Sequence, residues 1–125
     1  MSESAFTGEL NGLLLAYLGD AQLELLVRKR LVEAGGKIGE LNKKADQMVS
    51  AKAQCEALEK IIPHLTEKEL AVFKRGKNAH VNSVPKSCTL QQYLKATGFE
   101  AIFGHLSLAG DTERMEFLLD KAYFS

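Results

Sequence analysis

Two carboxylates stand apart in this sequence of 125 residues. Asp20 lies in LAYLGDAQLELLVRKR, inside an apolar run from Leu13 to Val27 and directly after Gly19. Glu100 lies in ATGFEAIFGHLSLAG, two residues after Gly98, with Phe99, Ala101, Ile102 and Phe103 around it, and no other acid falls between Glu69 and Asp111. A carboxylate among apolar neighbours is unfavourable unless a partner meets it. The small residue beside each acid lets another backbone or a ligand approach closely. Brought together from distant helices, the pair could hold Mg²⁺, which takes one or two protein carboxylates and completes its octahedron with waters and substrate phosphate. Plainer roles are equally open to each acid: facing solvent, or pairing with Lys or Arg. Glu24, one turn after Asp20, either shares its face or pairs with Arg28.

Helices must position these groups. Leu10, Leu14, Tyr17, Leu18, Ala21 and Leu25 recur at three-and-four spacing, which predicts one long helix from about Glu9 to Ala34, ended by Gly35-Gly36. A second helical region runs from Ile38 to Val49. A third passes through Ala53, Cys55, Leu58 and Ile62 to Pro63, with Ser50 as a possible cap between them. Thr66-Glu67-Lys68-Glu69 has the capping-box pattern and opens a short helix that stops near Gly76. AHVNSVPKSC is the longest stretch without helical signal. Thr89 to Gln92 is another capping box, opening a helix to Gly110, and Asp111 can cap a last helix bearing Met115, Leu118, Leu119 and Tyr123. No segment alternates like a strand. The expectation is an all-α fold in a single domain spanning 1–125.

The net charge is zero, which argues against a nucleic-acid partner until its distribution is read. Between Glu69 and Glu100 there is no acid, while Lys74, Arg75, Lys77, Lys86 and Lys95 fall there with His80 among them. Lys74, Arg75 and Lys77 can equally well complement the negative end of a helix. No apolar stretch approaches the roughly 18 residues of a membrane span, and MSESAFTGEL lacks the regions of a signal peptide, so a soluble, cytoplasmic protein is expected. Cys55 and Cys88, with no CxxC and no paired His, read as reduced and structural. His80 reads as an exposed loop residue and His105 as a helix residue near the core.

LGDAQLELLVR resembles the LGDA signature of the ribonuclease III catalytic domain, and TGFEAIFGHLSL resembles that family's second motif, in which a Phe-Glu-Ala sits on a late helix. More narrowly, LAYLGDA, VSAKAQ, KRGKNA, VPK and QQYLKATGFEA, in this order, resemble Mini-ribonuclease III, the short branch that lacks a double-stranded RNA-binding domain. The resemblance extends from about Leu10 to Leu119. It implies the helical ribonuclease III endonuclease fold, a homodimer, and Mg²⁺-dependent cleavage of double-stranded RNA, with Asp20 and Glu100 as catalytic metal ligands. It further implies a precursor of large-subunit ribosomal RNA as substrate, and leaves open a ribosomal protein as additional partner. Without a separate RNA-binding domain, phosphate contacts must come from the catalytic domain. Lys74, Arg75, Lys77 and Lys86 are the candidates, with Asn78 as a hydrogen-bond donor and Lys52 a further cation.

Departures from the larger ribonucleases III are specific. Those enzymes carry acids four and seven residues before the LGDA aspartate and three before the FEA glutamate, where this chain has Ala16, Leu13 and Thr97. Mini-III proteins are similar here, so a sparser metal site is implied. Apolar residues Phe99, Ile102, Phe103 and Leu106 are candidates for a dimer interface, and a core would explain them as well. Two other functions compete: a non-catalytic RNA-binding or assembly protein of this fold, and a helical protein-interaction module.

Overall fold

Asn11 is extended and its side chain accepts a hydrogen bond from the Leu14 N–H at 2.9 Å, so the first helix, α1, starts at Gly12 and runs to Ala34. The start expected at Glu9 lies outside the described residues, which in this computed structural model are 11–79 and 83–125. Gly35, at φ 85°, ends the helix and returns its N–H to Leu31 and Val32. Helix α2 (Ile38–Met48) is separated from α3 (Ala51–Ile61) by Ser50, whose hydroxyl caps the Ala53 N–H. Pro63 then sits in a 3₁₀ turn, Ile62–His64. Both capping boxes form as expected: Thr66 with Glu69 opens α4 (Glu67–Lys77), and Thr89 with Gln92 opens α5 (Leu90–Ala109). Gly110 adopts the left-handed conformation that ends α5, and Asp111 caps α6 (Thr112–Tyr123). Among the described residues there is no strand. The fold is all-α, as expected.

Helix α5 is the axis of the molecule. Ala96 through Phe99 and Ala101 through Leu106 are buried, so it is covered on every side along this stretch, with Glu100 alone less enclosed. Helices α1, α3, α4 and α6 pack around it. Phe99, Ile102 and Phe103 are 0 % exposed and meet Leu23, Leu58, Leu118 and Leu119 in one core. Burying a side chain of this kind contributes about 2–3 kcal/mol. Phe99, Ile102, Phe103 and Leu106 are therefore core residues of this chain, which decides between the two roles open to them in favour of the core. His105 is buried, as expected of a residue near the core.

One polar tie fastens the lower helices. Arg114 on α6 grips Glu69 on α4 with two hydrogen bonds, of 2.8 and 2.7 Å, and donates a third to the His64 carbonyl. Burial alone would raise the Glu69 carboxyl, but the Arg114 guanidinium and the Thr66 contacts hold it below its ordinary value.

Candidate active site

Where α1 crosses α5, glycine faces backbone. A Cβ on Gly19 would overlap the Glu100 carbonyl oxygen and lie 2.8 Å from the Gly104 nitrogen; a Cβ on Gly104 would overlap the Leu15 carbonyl oxygen. Only hydrogen at these positions lets the two helix backbones touch. The contact sets Asp20, the residue after Gly19, beside Glu100. Gly98 serves a different neighbour from the one its proximity to Glu100 suggests: its open side is filled by the Phe73 ring of α4, 2.6 Å from where a Cβ would stand.

The two acids meet in unequal surroundings. Asp20 is exposed, so the burial penalty inferred from its apolar sequence neighbours does not apply. Glu100 is the desolvated partner. Its carboxyl is pushed up to about 8, first by burial and then by the Asp20 carboxylate against it, with a hydrogen bond from Gln54 acting the other way. Gln54, on the first turn of α3, is 2 % exposed, and its Nε2 donates to Glu100 Oε2 at 3.3 Å, a long bond. Nearby, the Tyr123 phenol is raised by burial and by the charge of Glu100, which keeps it neutral.

Two like charges in contact, one of them desolvated, favour either a shared proton or a cation. Among the described residues no third His, Cys, Asp or Glu joins them in a metal-binding group. A two-carboxylate donor set is too sparse for the closed sites of zinc and suits Mg²⁺, which keeps several waters. The residues present thus fit the ion. Glu24 takes its plainer alternative and pairs with Arg28 at 3.2 Å. The positions that could have carried more acids are otherwise occupied. Ala16 packs between helices with Leu15, Val72 and Ala101, Leu13 is surface, and the Thr97 hydroxyl donates to the Tyr93 carbonyl at 2.8 Å.

A cavity of about 230 Å³ opens beside Glu100, lined by Gln54, Thr97, Tyr93, Pro85 and Cys88 among others. Its rim is the loop that carries Lys86, which is exposed. Lys74 and Asn78 are exposed and Arg75 and Lys77 half-buried at the end of α4, where the Asn78 N–H returns to the Lys74 carbonyl. That end is held against the start of α1 through Gly12, and Gly76 meets Gly98 and Ala101 of α5. Lys52 is exposed on the first turn of α3, two residues before Gln54. Among the described residues Lys52, Lys74, Lys77 and Lys86 make no ion pair, whereas Lys95 lies 4.0 Å from Glu59. His80 lies outside the described residues. Sequence reasoning missed Gln54 and Tyr123, because only the packing of α3 and α6 on α5 reveals their nearness to Glu100.

Helical architecture and an acid pair at the crossing of a LGDA helix with an FEA helix define a class. The ribonuclease III domain model matches residues 13–111, and the chain belongs to the ribonuclease III family. Within it, the chain is 49% identical over 108 residues to the Mini-ribonuclease 3 of Desulfitobacterium hafniense, covering 86% of this chain and 68% of that one. It is 43% identical over 112 residues to a Mini-ribonuclease 3-like protein of Ilyobacter polytropus, covering 90% and 88%. The crystal structure of a Fusobacterium nucleatum protein superposes with a TM-score of 0.82 at 38% identity, covering 90% of both chains.

Proposed function

We propose that the protein is a Mg²⁺-dependent endoribonuclease that cuts double-stranded RNA, with Asp20 and Glu100 as the catalytic metal ligands. The observation that carries this reading is the meeting of these two acids, one exposed and one desolvated, across a glycine-packed helix crossing. The exposed Asp20 presents its carboxylate to solvent and substrate, while Glu100 is held from behind by the protein. When bound, Mg²⁺ would supply an activated water and stabilise charge on the phosphate oxygens. Lys74, Arg75, Lys77, Lys86 and Lys52, with Asn78, would hold the RNA backbone; such contacts suit a duplex read by shape and phosphate. The family resemblance favours a large-subunit ribosomal RNA precursor as substrate, a ribosomal protein as an accessory partner, and a cytoplasmic setting. No helix among the described residues is long and apolar enough to cross a membrane.

A homodimer would place one site against each strand of a duplex with approximate two-fold symmetry. Its interface on this reading is α1, where Leu14, Tyr17, Leu25 and Val32 are exposed by 52%, 82%, 49% and 68% along one side. An exposed apolar stripe of this extent on a helix is the usual mark of a contact surface.

The test is cleavage of a labelled RNA duplex by wild type and by Asp20→Asn, with Mg²⁺ and with EDTA. Cutting on both strands that needs Mg²⁺ and is lost in the variant, with duplex binding in EDTA kept, is the expected result. Binding without cutting by the wild type would favour the non-catalytic RNA-binding protein instead.

A further inference from the structure

We infer that Gln54 is a positioning residue for Glu100: its buried amide on α3 fixes the carboxylate in the orientation in which it faces Asp20. The inference rests on the reading of Asp20 and Glu100 as metal ligands. Glutamine is an unexpected occupant of a site 2 % exposed beside Ala57, Leu58 and Ile61 of the same helix. Ordering its side chain there forfeits rotamer freedom, and a buried amide needs a partner. Glu100 Oε2 is that partner.

The residue type suits this role. An amide N–H can only donate to the carboxylate, so it restrains the last torsion of Glu100 without bringing charge. A lysine here would neutralise Glu100 and compete with a divalent cation, and an acid would add repulsion to a pair already in contact. The scaffold is rigid on both sides. Gln54 lies one turn into a helix capped by Ser50, and Glu100 is fixed at its backbone by Gly19 of α1. Both residues line the same cavity, beside Thr97 and Tyr93. Partners of this kind, which orient a ligand without touching the metal, typically change metal affinity or activity by 10–100-fold when removed.

The experiment compares wild type with Gln54→Met, which keeps much of the volume and removes the donor. Two readouts are taken: the Mg²⁺ concentration for half-maximal duplex cleavage, and Mn²⁺ binding to the RNA-free protein followed by electron paramagnetic resonance. Both should weaken about 10–100-fold in the variant, with RNA affinity in EDTA unchanged. Unchanged ion dependence in both readouts would overturn the inference while leaving the nuclease reading in place. A wild type that neither cuts nor binds Mn²⁺ would overturn both. Should Gln54→Met fail to fold, the side-chain amide spectrum of the wild type decides. The buried Gln54 amide should shift as Mg²⁺ is added, and a spectrum in which no glutamine amide moves would refute the role.

Discussion

Glu100→Gln should abolish cleavage and, in the absence of metal, make the protein more stable. Burial and the neighbouring Asp20 carboxylate raise the Glu100 carboxyl from its ordinary 4.5 to about 8. A group that binds its proton more tightly when folded contributes full stability below its unfolded value, and that contribution is lost as pH rises through the folded value. The loss therefore falls between about pH 4.5 and pH 8. Each tenfold in proton affinity is about 1.4 kcal/mol, which sets a ceiling of about 5 kcal/mol on the effect. Rotation of the side chain toward the adjoining cavity and attraction of counter-ions reduce it, and about 2 kcal/mol is the working value. In a domain of this size that is about 6–10 °C in Tm.

Thermal melts in EDTA from pH 4.5 to pH 8.5 would read the effect directly. The variant and wild type should melt together at the acid end, and the variant should gain its full advantage by the alkaline end. Adding Mg²⁺ at pH 8 should then raise the wild-type midpoint and leave that of the variant in place, because an ion that binds only the folded, ionised site stabilises by mass action. Parallel pH curves for the two proteins would refute the claim that Glu100 is strained by burial and by Asp20. A Mg²⁺ shift of equal size in both would remove Glu100 from the ion site.

Other perturbations probe the frame and the surface. Gly19→Ala drives a methyl group into the Glu100 carbonyl, so α1 and α5 must separate, and a loss of about 3 kcal/mol or more is expected in urea unfolding. Arg114→Met leaves Glu69 charged and buried; about 3–5 kcal/mol should be lost at neutral pH. That loss should shrink as acid protonates Glu69, since a carboxyl held low contributes its stability above its ordinary value and gives it up as pH falls. If the proposed homodimer forms through α1, Leu25→Glu on its exposed side should give a monomer by light scattering while helical circular dichroism is retained, and a wild type that is itself monomeric would refute that interface.

The helices were legible because their signals are local. Thr66, Thr89, Ser50 and Asp111 cap where the sequence places caps, since a capping side chain needs only a backbone N–H two or three residues away. The apolar period carries the expected start of α1 back through Leu10 to about Glu9, outside the described residues, because periodicity does not register that Asn11 is extended. Asp20 and Glu100 stood out as acids among apolar residues, but which of the two is desolvated depends on how α1 sits on α5, a tertiary fact. The same limit hid Gln54. Phe99, Ile102, Phe103 and Leu106 were ambiguous between core and interface because α5 is covered on almost all sides, and an apolar run carries no direction. Conversely, Leu14, Tyr17 and Leu25, which carry the period that predicts α1, face solvent.

The sparseness of the site has a physical consequence for how it would work. An acid at position 16 would have to enter the contact among Leu15, Val72 and Ala101, and one at 97 would displace a hydroxyl bonded to its own helix, so at neither of these positions can a third carboxylate be added without disturbing the packing. An ion held by Asp20 and Glu100 alone has most of its coordination shell left to water, and RNA phosphate is the natural replacement. On this reading ion and RNA complete one another's sites. Linkage then requires that RNA tighten the ion by the same factor by which the ion tightens RNA. The basic side chains at the end of α4, at Lys86 and at Lys52 would add salt-dependent affinity that is indifferent to the ion. Weakening those contacts should lower RNA affinity with and without metal, whereas removing Asp20 or Glu100 should erase only the part of the affinity that metal supplies. The two classes of residue are thus separable by one pair of binding curves, even in a variant that no longer cuts.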